Sequence, residues 1–66
     1  MARINKEYEW GYKQGYDFAE FEGGTVSQVY GELRNRGIAF RTTYGIGFKQ
    51  GVKDCKDGKP RKYYAD

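Results

Sequence analysis

Apolar and aromatic side chains recur along this chain at spacings that point to helices. From about Ile4 to Phe21, Tyr8, Tyr12 and Tyr16 return every four residues beside Gly11 and Gly15, also four apart. A step of four places each set on one helical stripe. A rival pattern runs through the same residues: Tyr8, Trp10, Tyr12, Tyr16 and Phe18 all occupy even positions, and Tyr, Trp and Gly are weak helix formers. A hairpin turning at Lys13, Gln14 and Gly15 therefore stays open. The stretch GYKQG at 11–15 returns as GFKQG at 47–51. In the second copy Tyr44, Phe48 and Val52 keep the step of four, as do Gly47 and Gly51, while the strand alternation weakens, so the repeat favours helix.

Between the two copies, Gly23 and Gly24 stop the first block, and Thr25-Val-Ser-Gln28 has the form of a capping box. Val26, Val29, Tyr30 and Leu33 then follow the i, i+3, i+4, i+7 pattern of a second helix, ended by Gly37 as a left-handed cap. Ile38, Phe40 and Thr42 alternate with Ala39 and Arg41, which reads as a short extended segment or strand. Thr42 or Thr43 caps a third block, Tyr44 to Cys55, before Asp57, Gly58 and Pro60 break the chain. The expected fold is mainly α, a small three-helix domain in which two Gly-aromatic helices pack closely. The alternative is α+β, with antiparallel hairpins at 7–21 and 38–64 around one helix at 26–36. Residues 1–66 form a single domain, with 57–66 as a loosely held tail.

Glycines repeated four apart give a helix a groove free of side chains, into which a second helix can settle. Each interior glycine costs about 1 kcal/mol relative to alanine, a loss that close packing has to recover. Gly11, Gly15, Gly47 and Gly51 are accordingly read as packing positions. Neither copy has the strand, turn and helix order of a phosphate-binding loop.

With 66 residues the chain can bury only part of its surface. Cys55 is the only cysteine and histidine is absent, which excludes an internal disulfide, a Cys/His zinc site and a His-based mechanism. No motif surrounds any carboxylate, and Cys55 lacks a base beside it, so no enzyme and no cofactor is expected. The lone cysteine and the lack of a long apolar run suggest a cytoplasmic chain with no membrane partner.

Charge adds an asymmetry. Residues 1–33 carry three basic and six acidic side chains, net −3, whereas residues 34–66 carry nine basic and three acidic, net +6. A basic face for a polyanion, or two halves that attract each other within a monomer or a homo-oligomer, would follow.

The motif Gly11-Tyr12-x-x-Gly15 in a first helix, with Gly47-Phe48-x-x-Gly51 in a later one, resembles the ribosome modulation factor family of short basic helical proteins. The resemblance covers about half the chain and implies a helical fold and a ribosome-binding role that quiets translation. The chain departs from that pattern in its longer connection, with a helix of its own, and in its acidic first helix.

Two functions are weighed. In the first, a small non-enzymatic regulator binds structured RNA or the ribosome through Arg34, Arg36, Arg41, Lys49, Lys53, Lys56, Lys59, Arg61 and Lys62, which neutralise phosphates while neighbouring aromatics such as Tyr63 and Tyr64 stack on bases. In the second, a phage-type inhibitor or adaptor binds one host protein through exposed aromatics of the first helix, Tyr8, Trp10, Tyr12 and Tyr16. The bland readings are a solvated basic face for the first set and an aromatic core for the second.

Overall fold

The computed structural model of the chain describes residues 6–63. Three helices follow one another, α1 (Lys6–Glu22), α2 (Val29–Asn35) and α3 (Thr43–Lys56), with a 3-10 turn at Val26–Gln28 leading into α2. Among the described residues there is no strand, so the helical reading holds and the hairpins at 7–21 and 38–64 are set aside. The expected helix start at Ile4 and the tail residues 64–66 lie outside the described residues.

Local chemistry sets the helix ends. Gln28 Oε1 reaches back to accept from the Thr25 backbone N–H at 3.0 Å, as a capping box requires. Residues 26–28 nevertheless wind as a 3-10 turn, and α2 begins only at Val29. The expected apolar stripe is corrected: Val29 and Leu33 are buried, while Val26, displaced by the different angular step of the 3-10 turn, and Tyr30, on the flank of the stripe, are exposed. Gly37, at φ +75°, ends α2. The Ile38 N–H returns to the Leu33 carbonyl at 2.9 Å and the Gly37 N–H to Arg34 at 3.0 Å, the paired bonds of a Schellman motif.

The stretch 38–42, expected as a short extended segment or strand, forms no strand and turns at Phe40 and Arg41. The Thr42 N–H and hydroxyl both donate to the Ala39 carbonyl, at 3.2 and 2.7 Å. The Thr42 hydroxyl oxygen accepts from the Gly45 N–H at 3.0 Å, which makes Thr42 the N-cap of α3. These local bonds fold the stretch back on itself ahead of α3.

α1 and α3 form the centre of the fold, and the glycines show how. A Cβ added to Gly11 would strike the Tyr44 carbonyl, and one on Gly15 the Phe48 carbonyl; reciprocally, Gly47 abuts the Tyr8 carbonyl and Gly51 that of Tyr12. The contacts advance in the same direction along both helices, so α1 and α3 run parallel. They are also reciprocal. Shifting each α1 position by the 36 residues of the repeat converts Gly11 on Tyr44 into Gly47 on Tyr8. The sequence repeat is thus an internal near-twofold relation between two helices that each offer a glycine groove to the other's backbone.

The pair is covered on both sides. On one, Val29 and Leu33 of α2 pack with Phe18 and Ala19 of α1 and Phe48 and Val52 of α3, with Ile38, Tyr44 and Cys55 at the margin. On the other lies residues 59–63, the segment expected to be loosely held. The Lys59 carbonyl accepts from the Tyr16 hydroxyl at 2.7 Å, and the Tyr63 ring sits edge-on to Tyr12 and Tyr8 with centroids 5.3 and 6.2 Å away. Arg61 lies over the Tyr16 ring and pairs with Asp17 at 3.0 Å. Arg61→Ala should therefore cost about 1 kcal/mol, from a half-buried ion pair and a cation–π contact, or roughly 4–8 °C in a domain of this size. A thermal melt followed by circular dichroism checks it, and an unchanged midpoint would mean that the segment does not hold the fold together.

Candidate nucleic-acid interface

The outer face of α3 is built by its sequence. Lys49, Lys53 and Lys56 are spaced by four and three, one stripe of a helix, and all three are exposed together with Ile46. The only carboxylate between Lys49 and Lys56 is Asp54, and it points the other way: its residue is 1% exposed. Asp54 accepts from the Tyr12 hydroxyl and from Gln50 Nε2, each at 2.6 Å. Burial disfavours its charge, but those two hydrogen bonds and the nearby Lys62 and Lys59 outweigh burial and hold its carboxyl below the ordinary range. The acid thus does structural work inside, and the outer stripe is left purely cationic.

At the N-terminal half of α3 the stripe meets aromatics. Lys49 Nζ lies 5.8 Å from the centroid of the Phe40 ring. Phe40, carried by the turn before α3, stacks on Tyr30 of α2 with centroids 5.8 Å apart and planes at 12°. Both rings stay open to solvent, Tyr30 at 58% and Phe40 at 37%. Arg34 follows Tyr30 by one turn of α2, Arg41 follows Phe40 in the chain, and both are exposed. The surface is therefore a stacked aromatic pair with Lys49 against it, the exposed Arg34 and Arg41 next to it along the chain, and Lys53 and Lys56 on the following turns of α3.

The other basic residues of the expected set lie elsewhere or are engaged. Arg36 pairs with Glu32 at 2.8 Å and lies 5.0 Å above the centroid of the buried Phe48 ring, so it anchors α2 to α3. Lys59, Arg61 and Lys62 belong to the segment docked on α1, where the Lys62 N–H donates to the Tyr12 hydroxyl at 3.3 Å. The nine basic residues thus divide into a patch of five, a strap of three and one structural arginine.

Of the four aromatics expected to bind a partner, Tyr12 is fully buried and Tyr8 and Tyr16 are partly covered by the strap. Trp10 is 54% exposed, in a shallow depression lined by Lys6, Glu9 and Lys13. Sequence reasoning missed Phe21, the most open large hydrophobic side chain among the described residues at 77%, between the exposed Glu20 and Glu22. It also missed the pairing of Tyr30 with Phe40, since the i, i+3, i+4, i+7 spacing places Tyr30 in the apolar stripe. Among the described residues no helix is long and apolar enough to cross a membrane.

Compared with known proteins, the chain matches no family model, no curated protein and no solved structure.

Proposed function

We propose that this chain is a cytoplasmic, non-enzymatic regulator that binds structured RNA, in the ribosome or outside it, through the patch formed by Arg34, Arg41, Lys49, Lys53 and Lys56. The observation that carries the reading is the inward turn of Asp54, which leaves α3 with an exterior of lysines running into an exposed aromatic pair. Phosphate neutralisation and base stacking are the two contributions such a surface supplies. The likeness of its Gly-aromatic helix motif to the ribosome modulation factor family makes the ribosome the first RNA to try.

Arg36 is excluded from the test because it also holds α2 against α3. Replacing Arg34, Arg41, Lys49, Lys53 and Lys56 by glutamine should abolish binding of a labelled RNA in fluorescence anisotropy. Wild-type affinity should fall with salt at a logarithmic slope of about −3.5, from roughly 0.7 per phosphate contacted. Unchanged binding by the folded variant would sink the proposal.

A second reading draws on the exposed Trp10 and Phe21 of the acidic helix α1. A host protein bound there would survive nuclease and moderate salt in a pull-down and would be lost on Trp10→Ala.

A further inference from the structure

The stacked pair of Tyr30 and Phe40 has a geometry that burial alone does not account for. A contact that merely pinned the turn 38–42 to α2 would hide both rings, since covering apolar surface is what stabilises such a contact. Instead Tyr30 stands 58% open, on the flank of α2 beside the buried Val29 and Leu33. Stacking on Phe40 at 12° holds the ring in a fixed plane, so little side-chain freedom remains to be lost when a third flat group joins the stack. The neighbours that carry free charge are cationic: Lys49 above the Phe40 ring, the exposed Arg41 next to it in the chain, and the exposed Arg34 one turn along α2. Glu32, the nearest acid in α2, is already paired with Arg36. A preset aromatic plane inside a cationic rim matches a nucleobase with its own phosphates, and it suits a basic or purely apolar peptide poorly.

We propose, resting on the RNA reading above, that Tyr30 and Phe40 form a platform for an unpaired base, so that the RNA recognised is a loop or bulge next to a helix and not the helix alone. The base extends the stack on Tyr30, Lys49, Arg34 and Arg41 hold its flanking phosphates, and Lys53 and Lys56 follow the backbone toward the adjoining stem. A paired base cannot reach Tyr30 without leaving its own stack, which supplies the discrimination.

The test uses the full chain and two labelled RNAs of equal phosphate number, a hairpin with an open pyrimidine-rich loop and a blunt duplex. The hairpin should bind more tightly. Tyr30→Ala should weaken hairpin binding roughly ten- to a hundredfold, the range given by the loss of one stacked base, and leave duplex binding unaltered. Tyr30→Phe keeps the ring and should bind as the wild type does. Tyr30→Leu keeps apolar bulk against Phe40 but loses the π-face, and should behave like Tyr30→Ala, which separates stacking from any effect on folding. Equal wild-type affinity for hairpin and duplex, or full hairpin affinity in the leucine variant, would overturn the platform. If those results came with binding still lost in the five-glutamine variant, the RNA reading would stand without it. Failure of the wild type to bind either RNA would overturn both.

Discussion

Gly15→Val should abolish the fold: no cooperative melt and a helical circular dichroism signal reduced to that of an unfolded chain. A Cβ on Gly15 would overlap the Phe48 carbonyl carbon and oxygen, and a backbone group inside a helix cannot swing aside as a side chain can. The helices would have to separate along the whole crossing, because Gly11, Gly47 and Gly51 make equally close contacts on the neighbouring turns. Overpacking a core typically costs 1–3 kcal/mol when side chains can adjust, and more when backbone must move. A chain of 66 residues has only about 3–5 kcal/mol in hand. Gly31 is the control. It lies in α2 with nothing within 4 Å of an added Cβ, so Gly31→Ala should stabilise by about 0.5–1 kcal/mol through helix propensity alone. A Gly15→Val variant that melts like the wild type would mean that α1 and α3 do not meet at this distance.

That helix pair was the most legible part of the chain, for a physical reason. A groove must follow the ridges of its helix, so the glycines that form it recur at four, and two grooves that serve each other must be written twice. The same period made the lysine stripe of α3 visible. Parallel orientation was not visible, because reciprocal glycine contacts leave no mark of direction in a single strand of sequence. The apolar stripe of α2 narrows in the structure to Val29 and Leu33: a 3-10 entry changes the angular step and turns Val26 out, and Tyr30, at the edge of the stripe, stacks on Phe40 and stays half-exposed. Ile38, Phe40 and Thr42 alternate because Ile38 completes the cap of α2, Phe40 meets Tyr30 and Thr42 caps α3. Those are three separate local reasons that mimic a strand. Long-range polar contacts were invisible for a simpler cause: Asp54 looks like any helix-surface acid until Tyr12, 42 residues away, is placed against it.

The same carboxylate provides the second large effect. Asp54→Ala should remove most of the stability, because it strands the buried Tyr12 hydroxyl and the part-buried Gln50 Nε2, which each bond to it at 2.6 Å. Leaving a buried donor unpaired costs about 1–3 kcal/mol; the Tyr12 hydroxyl bears that cost in full and the Gln50 amide, which water can reach, only in part, so a total of roughly 2–4 kcal/mol approaches the whole stability of so small a domain. Asp54→Asn keeps the shape and one acceptor and should cost less. A double-mutant cycle of Asp54→Asn with Tyr12→Phe should give a coupling of about 1–2 kcal/mol, whereas simple additivity would show that the bond contributes nothing. Proton linkage gives an independent readout. The folded-state pKa of Asp54 lies below the ordinary 3.8; its contribution is complete above that value and is lost as the pH falls through the folded one. Burial and then the bond to Asp54 push the Tyr12 phenol well above its ordinary 10.0, so its contribution is complete below that pH and fades as the pH rises beyond it. Melting temperature should therefore fall at both ends of the pH scale. Asp54→Asn should flatten the acid limb and Tyr12→Phe should reduce the alkaline one. An acid limb as steep in Asp54→Asn as in the wild type would place the titrating group elsewhere and remove Asp54 from the account of what holds α1 to α3.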